Sequence, residues 1–507
     1  MFFLGFDSST QSLTAQLIEV RNSSGHPEHD VRLVWESSLN FERDLPVFGT
    51  RHGVLPSDDP KVAEAPPAMW AKALEIMMAR VAASGLDLSK IAAVSGSAQQ
   101  HGTVYLGDEG FTRDRSPIWL DATTTEECAE ITRALGGPDA AAQLTGSRVF
   151  ERFAGPQIRR FWKTQPDAYA RTARIHVISS FLCSLLLDKD APIDPGDGSG
   201  MSLMSLAGHG WDATALAATA PDLEGKLPAI APPHLGAGVL GDYWQRSFGF
   251  PAADVVVWTG DNSSSLVGTG LVEEGTLAIS LGTSDTIFGL MREPRISSSG
   301  EGHVFGAPTG EFMGITVFAN GSLARENIRD QYGLNWQGFR RALHATPPGN
   351  DGGLMIPWFV PEITPRAPRP RVRRRHLEEH EAARNVRALV EGQMMAMRNH
   401  SRWMGVNIST IFATGGASRN NDVLQVMADV FNARVFPSPV GNSACLGAAL
   451  RAWHGYEKAR GNTIDWRVIV KDLTSPDLSS VVLPNPAAVK VYERLADAHQ
   501  QFENELI

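Results

Sequence analysis

The sequence predicts an α/β protein built from two related halves. Near the start of the chain and again past its middle, a short apolar strand (residues 2–6 and 277–281) ends at a turn of small residues and is followed by a second strand. Helical patterns such as residues 66–84 and 379–398 alternate with other strands, which is typical of mixed α/β domains. Two related halves are the simplest explanation of the repeated hairpin. A chance similarity between two hairpins is the alternative.

Length and composition indicate a soluble globular enzyme with more than one hydrophobic core. The chain has 507 residues, of which 43% are hydrophobic and 20% are charged. Its formal net charge of −10 argues against a general nucleic-acid or membrane binder, because such proteins need a basic face. We therefore expect no nucleic-acid partner and no membrane partner.

The cysteines and the N-terminus favour a reducing compartment. Cys128, Cys183 and Cys445 are odd in number and lack metal-ligand spacing. Asp7 follows too few apolar residues for a signal peptide, and no apolar run reaches membrane-spanning length. The sequence therefore predicts a cytoplasmic protein.

A polar cluster follows the strand predicted at residues 91–94. Gln99, Gln100 and His101 stand together where that strand ends. An amide pair beside a histidine can hydrogen-bond several hydroxyl groups of one ligand. A solvated turn explains the same residues with comparable weight.

Two features of the next hundred residues are less specific. Arg152 can face a ligand or pair with a surface carboxylate, and the second role is favoured because it is the usual one for arginine. Residues 194–200, DPGDGSG, are rich in turn formers, so we expect an irregular loop.

An isolated acid and a turn of small residues mark the second hairpin. Asp261 follows the β-rich run at residues 255–258, and the turn at residues 282–285 is Gly-Thr-Ser-Asp. A turn without bulky side chains lets backbone N–H groups approach an oxyanion closely. The segment therefore offers a candidate base and a candidate phosphate site. A purely structural turn would favour the same residues.

The second half contains a basic cluster and a glycine pair. The arginines of residues 366–375 are expected in an extended, solvated loop offset by Glu378, Glu379 and Glu381. A nuclear-import or nucleic-acid signal is the alternative, which the acidic net charge of the chain disfavours. Gly415 and Gly416 lie between a strand and a helix, where a nucleotide can rest against bare backbone. A tight strand–helix connection is the alternative. Residues 444–449 are mostly small, which favours close helix packing.

Seven motifs can be compared with known families, namely FERDLP, SGSAQQHG, TGSRVFERF, IDPGDGSGM, TGDN, SLGTSDT and ATGGAS. Together these motifs resemble the FGGY family of carbohydrate kinases, which share an ATPase fold with actin, hexokinase and the heat-shock chaperones. The resemblance covers nearly the whole chain, and its finer details are most similar to eukaryotic members that act on D-xylulose. It implies two ribonuclease-H-like domains, residues 1–268 and 269–507, that face a central cleft.

The resemblance also implies roles for individual residues. Asp261 would be the general base for phosphorylation of a sugar hydroxyl by ATP, and Asp7 would hold Mg²⁺. The residues implied to bind the sugar are His101, Arg152, Asp261 and Asn262, with Gln99 and Gln100 as weaker additions. The residues implied to bind ATP are Thr10, Gly282, Thr283, Ser284, Trp336, Gly415, Gly416, Ala417 and Asn420.

The substrate is the least specific part of this interpretation. D-xylulose and ATP are the expected small-molecule partners, and a monomer or homodimer is expected. A kinase for another ketose or polyol, such as ribulose or glycerol, is the first alternative, and a non-catalytic actin- or chaperone-like ATPase is the second.

Bacterial members commonly have Gly-Thr after the first aspartate, whereas Asp7 is followed here by Ser8, Ser9 and Thr10.

Overall fold

The structure is a computed structural model that describes residues 1–22 and 29–507, and the chain forms two compact units. The first unit comprises Met1–Val272, Val304–Met313 and Val440–Ser475. The second unit comprises Glu273–His303, Gly314–Pro439 and Pro476–Ile507. The domain limits predicted from the sequence, 1–268 and 269–507, stay a prediction, because these units are defined by compactness and are discontinuous in sequence.

The described part of the first unit is built around a seven-stranded sheet with Phe2–Ser8 near its centre. This strand pairs antiparallel with Ser12–Asn22 and parallel with Ile91–Ala98. Leu4 and Phe6 belong to one hydrophobic core and Phe3 to another, so both faces of the sheet are covered. The strands in order are Gly236–Val239, Asp254–Val256, Ile91–Ala98, Phe2–Ser8, Ser12–Asn22 and His29–Asn40, with Thr259–Gly260 also paired to Ile91–Ala98.

Helices and small sheets surround this sheet. The α-helices are Phe41–Asp44, Pro67–Ala82, Thr125–Ala134, Pro138–Thr145, Ala154–Thr164, Pro166–Arg171, Ile178–Leu187, Pro195–Ser199, Ala213–Thr219, Leu223–Lys226, Asp242–Phe248, Asp261–Gly268, Ser443–Ala459 and Trp466–Thr474. The short strands are Glu64–Ala65, Thr103–Gly107, Gly110–Phe111, Ser116–Pro117, Arg174–Val177, Met204–Ser205 and Gly210–Trp211. The 3₁₀ turns are Pro46–Phe48 and Leu88–Lys90.

Glycines allow the helix Ser443–Ala459 to lie directly on its neighbours. A Cβ atom on Gly5 would lie 2.3 Å from the backbone nitrogen of Ala449, and one on Gly447 would lie 1.9 Å from the carbonyl oxygen of Ser264. Backbone cannot yield to such contacts as a flexible side chain can. The close packing predicted for residues 444–449 is therefore confirmed.

The second unit repeats the hairpin arrangement of the first. Thr276–Leu281 pairs antiparallel with Asp285–Met291 and parallel with Thr410–Thr414, which in turn pairs parallel with Arg434–Pro437. In the first unit Phe2–Ser8 likewise has an antiparallel hairpin partner on one side and parallel strands on the other. This shared topology favours two related halves over a chance similarity between hairpins.

The remaining elements of the second unit cover its sheet. Two further strands, Gly302–Gly306 and Phe312–Phe318, each contain residues assigned to both units, and a separate two-stranded sheet pairs Leu354–Trp358 with Arg371–Arg375. The helices are Ser322–Gln331, Trp336–Ala345, Ala382–Ser401, Asn421–Phe431 and Pro486–Asn504. The 3₁₀ turns are Asn350–Gly352, Arg402–Met404, Gly416–Arg419 and Leu478–Ser480.

Most predicted elements are confirmed, and two predictions are wrong. The helices predicted at 66–84 and 379–398 are Pro67–Ala82 and Ala382–Ser401. Residues 194–200, expected as an irregular loop, contain the buried helix Pro195–Ser199. The basic cluster, expected as a solvated loop, contains the strand Arg371–Arg375, because Leu354–Trp358 supplies a pairing edge.

The arginines of that strand have different partners from those expected. Arg374 donates to Asn385 at 2.6 Å, and Arg375 pairs with Glu505. Arg371 donates to the carbonyl oxygen of Leu506 at 2.7 Å. The cluster therefore fastens the C-terminal segment in the second unit.

Each helix in the described ranges is too short or too polar to cross a membrane.

Candidate active site

Three parallel strand segments of the first unit end side by side, and their carboxyl ends carry the two candidate acids. The central strand is Ile91–Ala98. Phe2–Ser8 pairs with one side of it and places Asp7 beside Ser97, while Thr259–Gly260 pairs with its other side and places Thr259 beside Ser97 as well. Asp261 follows one residue after the Thr259–Gly260 segment. Ligands of α/β sheets bind outside the carboxyl ends of such strands.

Asp7 is a half-buried carboxylate with one defined hydrogen-bond donor. The hydroxyl group of Ser97 donates to its Oδ1 at 2.7 Å. Burial raises the pKa of Asp7 to about 6, and the hydrogen bond from Ser97 opposes part of that rise. Burial therefore dominates the proton affinity of this carboxylate.

Asp261 begins the helix Asp261–Gly268 and is the more basic of the two acids. Its Oδ1 accepts hydrogen bonds from the backbone N–H of Asn262 at 2.8 Å and from the Asn262 amide at 3.2 Å. Burial, and then the negative charge of Asp7, raise the pKa of Asp261 to about 7. A carboxylate with a pKa near neutrality is suited to general-base catalysis.

Asp7 fits a magnesium ion that is held only partly by protein. Carboxylate oxygens are the ligands that Mg²⁺ prefers, and Mg²⁺ commonly takes one or two of them together with substrate phosphates and water. Across residues 1–22 and 29–507, three or more His, Cys, Asp or Glu side chains nowhere gather into a ready-made metal site. The donor set at Asp7 therefore fits the partly protein-bound type of site and not a closed protein cage.

His101 lies just beyond the strand Ile91–Ala98 with a positive φ of 73°. Its Nδ1 lies 2.8 Å from the carbonyl oxygen of Gly200, which can only accept, so Nδ1 carries the proton and Nε2 is an acceptor. Burial, followed by the positive charge of Arg152, lowers the pKa of His101 to about 3. The imidazole is thus neutral at physiological pH and can accept a hydrogen bond from a ligand hydroxyl.

Gln100 connects Asn262 to the backbone. Its Nε2 donates to the carbonyl oxygen of Gly196 at 3.1 Å, and its Oε1 accepts from the amide of Asn262 at 2.9 Å. Gln99 and Gln100 are each 3% exposed, so the solvated turn considered for this cluster is wrong. Gln100 orients Asn262, which in turn donates to Asp261.

The helix Pro195–Ser199 is the element of this site that the sequence reasoning missed. It forms because the Asp194 carboxylate accepts from the backbone N–H of Asp197 at 3.0 Å and because proline suits the first position of a helix. The carbonyl oxygens that hold Gln100 and His101 belong to Gly196 and Gly200, within and at the end of this helix. The Asp-Pro pair was the available signal.

Arg152 and Thr10 lie in the same unit with defined neighbours. The Arg152 guanidinium carbon lies 5.2 Å from the ring centroid of Phe150 and 5.8 Å from that of Phe153. Arg152 is half-buried, which differs from the surface role favoured by the sequence. The hydroxyl oxygen of Thr10 accepts from the indole N–H of Trp119 at 2.8 Å.

A pocket of about 650 Å³ lies within the second unit, a size typical of small-molecule sites. It is lined by six of the predicted ATP-binding residues, which are Gly282, Thr283, Trp336, Gly416, Ala417 and Asn420. Trp336 is 48% exposed and has the guanidinium of Arg329 4.6 Å from its ring centroid. An exposed aromatic face at a pocket is suited to stacking on a planar base.

The two other ATP-binding candidates of this unit flank the pocket. Ser284 is exposed on the same turn as Thr283. Gly415 has a φ of +83°, and a Cβ atom there would lie 2.4 Å from the carbonyl oxygen of Leu281. Gly415 therefore supports the strand–helix connection, while the side chain of Asn420 caps the helix Asn421–Phe431 by accepting from Asp422 N–H at 3.0 Å.

Solved structures show which fold this chain has. Xylulose kinase from Rhodospirillum rubrum matches with a TM-score of 0.86 and 20% identity, over 100% of this chain and 99% of that one. Plasmodium falciparum glycerol kinase with ADP matches with a TM-score of 0.81 and 17% identity, over 100% and 98%. The chain thus has the two-domain, actin- and hexokinase-like ATPase fold, and the predicted α/β class is confirmed.

Sequence comparisons show the family. Residues 52–268 match the N-terminal domain of the FGGY family of carbohydrate kinases, and residues 277–456 match its C-terminal domain. The chain belongs to the FGGY family of carbohydrate kinases. It is 38% identical to "Xylulose kinase" of Rattus norvegicus over 99% of this chain and 97% of that protein. It is also 38% identical to "Xylulose kinase 2" of Arabidopsis thaliana, over 90% and 87%.

Substitution of Gly196 tests whether the helix Pro195–Ser199 positions the side chains that are predicted to bind the sugar. A Cβ atom there would lie 2.5 Å from the hydroxyl oxygen of Thr259 and 2.7 Å from that of Ser263. We expect Gly196→Ala to displace Gln100 and raise the KM for the carbohydrate by about tenfold to a hundredfold, because small misplacements at a reacting centre are costly. Steady-state kinetics with each substrate varied in turn measures this.

The KM for ATP should stay within about twofold in the same variant. Gly225→Ala is the matched control, because that glycine lies in an exposed helical turn and a Cβ atom added there would have no other atom within 4 Å. An unchanged carbohydrate KM in Gly196→Ala would show that this helix does not position the site.

Proposed function

We propose that this chain transfers the γ-phosphoryl group of ATP to D-xylulose and forms D-xylulose 5-phosphate. The observation that carries the proposal is the carboxylate of Asp261, with a pKa near 7, hydrogen-bonded in series with Asn262 and Gln100 and set in one unit with His101. The choice of sugar is supported by curated relatives named xylulose kinase at 38% identity over nearly the whole chain.

Asp261 acts in this proposal as the general base. Its carboxylate takes the proton of the terminal sugar hydroxyl as that oxygen bonds to the γ-phosphorus and the bond from phosphorus to the β-bridging oxygen breaks. Phosphoryl transfer has a loose transition state, so proton removal is late and the main tasks of the protein are positioning and charge neutralisation. The hydrogen bond from Asn262 fixes the direction of the carboxylate.

The remaining polar groups of the first unit bind the sugar. Nε2 of His101 accepts a hydrogen bond from one hydroxyl, and the guanidinium of Arg152 donates to another oxygen. Asn262 contributes its amide, while Gln100 keeps that amide oriented. A site with a neutral imidazole, an amide, a carboxylate and a fixed cation suits a small polyhydroxyl ligand better than a protein partner.

Asp7 would hold Mg²⁺, directly or through water. When bound there, Mg²⁺ would neutralise developing charge on the phosphate oxygens.

The nucleotide is proposed to bind through two groups of residues. Thr10 and the turn residues Gly282, Thr283 and Ser284 would contact the phosphates. The adenosine would occupy the 650 Å³ pocket of the second unit, with Trp336 near the base. The pocket residues proposed for this role are Gly415, Gly416, Ala417 and Asn420.

The proposal extends to the domain limits, the cellular location, the oligomeric state and the partners of the chain. We propose domain limits of 1–268 and 269–507, a cytoplasmic location, and a monomer or homodimer without nucleic-acid or membrane partners. The net charge of −10 supports the last point, because nucleic acid and anionic lipid attract basic surfaces.

A panel of sugars tests the substrate. ADP release by the purified enzyme should be stimulated most by D-xylulose, with ribulose, glycerol and a no-sugar control measured in parallel at equal concentrations. We expect kcat/KM for D-xylulose to exceed that for the others by about tenfold or more, since lost hydroxyl contacts leave buried polar groups unpaired. A preference for ribulose or glycerol would show that the substrate is that sugar or polyol and not D-xylulose. The absence of any stimulation by sugars would indicate an actin- or chaperone-like ATPase.

Substitution of Asp261 tests the base. We expect Asp261→Ala to lower kcat by about 10² to 10⁴ while ADP binding measured by calorimetry is retained, because a general base contributes to the chemical step. Asp242→Ala is the matched control, since Asp242 is also the first residue of a helix but is exposed. Near-normal turnover in Asp261→Ala would contradict this assignment.

A further inference from the structure

We propose that Arg325, paired with Asp285, is a positioning residue that fixes the geometry of the phosphate turn, residues 282–285. The proposal rests on the proposed function in one respect only, which is that the turn contacts the phosphate chain of ATP. All residues involved belong to the second unit.

The pair is bidentate and buried. Nη1 of Arg325 donates to Oδ2 of Asp285 at 2.8 Å, and Nη2 donates to Oδ1 at 2.8 Å. Both side chains are only 2% exposed. Two parallel hydrogen bonds between planar groups fix direction as well as distance. Asp285 ends the turn and begins the strand Asp285–Met291, so its side chain links the turn to the helix Ser322–Gln331.

The first residue of the turn is held by the same helix. The carbonyl oxygen of Gly282 accepts from the backbone N–H of Ser322 at 2.7 Å and from Nη2 of Arg325 at 3.4 Å. In a trans peptide the C=O of one residue and the N–H of the next point in opposite directions. The N–H of Thr283 is therefore directed away from the helix. Thr283 is exposed and lines the pocket, so this orientation presents a backbone donor to a phosphate oxygen.

Gln393 connects Arg325 to the loop that precedes the helix Ser322–Gln331. Its Oε1 accepts from Nη1 of Arg325 at 3.0 Å, and its Nε2 donates to the carbonyl oxygens of Asn320 at 2.6 Å and Gly321 at 3.0 Å. A Cβ atom on Gly321 would lie 2.7 Å from the carbonyl oxygen of Thr283. The loop and the turn thus pack at backbone contact, and Arg325 is connected to both.

Stability alone does not explain this pair. Removing two charges from water is expensive, and apolar residues of similar volume commonly stabilise a core as well or better. A buried pair that touches both ends of an exposed turn instead selects one conformation of that turn. Because the turn presents N–H groups to an anion, its conformation determines how well phosphate binds.

The test compares ligands with and without phosphate. We expect Arg325→Lys and Asp285→Asn, measured by calorimetry on the full-length enzyme, to weaken ATP-analogue and ADP binding by about tenfold or more, since a displaced donor loses most of its hydrogen bond. Adenosine affinity should stay within about twofold. In kinetics, the KM for ATP should rise while the KM for the sugar is unchanged.

Arg387→Lys is the matched control for loss of a buried ion pair. Nε of Arg387 lies 2.5 Å from Oε1 of Glu391 in the helix Ala382–Ser401 of the same unit. This variant should lose thermal stability without a change in ADP affinity.

Three results would overturn the proposal. They are unchanged ADP affinity in folded Arg325→Lys and Asp285→Asn, equal weakening of adenosine and ADP, or failure of both variants to fold at 25 °C, which would make the pair structural. A wild-type enzyme that binds no nucleotide would refute the proposed function as well. Normal wild-type binding with unaffected variants would refute the positioning role alone.

Discussion

The acid site depends on the register of the central strand Ile91–Ala98, which has a parallel neighbour on each side. That register places Ser97 beside Asp7 in one neighbour and beside Thr259 in the other, two residues before Asp261. Strand side chains alternate between faces, so a shift of one residue would turn Asp7 away from Ser97. Because apolar cores cover both faces, the same shift would place apolar side chains wrongly, and the register is strongly specified.

Burial at the carboxyl ends of these strands reverses the usual order of basicity between an imidazole and a carboxylate. In water an imidazole binds a proton more tightly than a carboxylate does. Here desolvation raises the pKa of Asp261 to about 7 and lowers that of His101 to about 3. Each shift favours the neutral form of its group, and the nearby charges of Asp7 and Arg152 act in the same direction. In the proposed reaction the carboxylate is therefore the proton acceptor, and the imidazole stays a neutral hydrogen-bond acceptor.

In the second unit a buried ion pair, and not a shifted pKa, prepares the proposed phosphate site. The carboxylate of its turn at residues 282–285, Asp285, is paired with Arg325. The proposed role of the turn is to bind phosphate through backbone N–H groups, whose direction must be fixed. A buried arginine does this because its planar fork bonds to a carboxylate, a backbone carbonyl and an amide together. Polar groups are thus buried in both units where they set direction or proton affinity.

The sequence predicts elements with strong local patterns and misses effects of tertiary pairing. The helix Pro67–Ala82 and both hairpins are readable because apolar spacing and turn residues are local. The helix Pro195–Ser199 is mistaken for a loop because Asp, Pro, Gly and Ser favour turns as well as helix starts. Arg325 carries no local signal, since an arginine in a helical pattern usually faces solvent. Its buried partners Asp285, Gln393 and Gly282 are all distant in sequence.

The most direct test of the central claim is the titration of Asp261 in the metal-free protein. Carbon-13 NMR of labelled aspartate, assigned with Asp261→Asn, should show a carboxyl group that titrates near pH 7 in the wild type. In Asp7→Asn that pKa should fall, because removal of the neighbouring negative charge makes ionisation of Asp261 easier. A pKa of about 4 in the wild type, the ordinary value for an aspartate, or one that Asp7→Asn leaves unchanged, would contradict the proximity of the two acids on which the account depends.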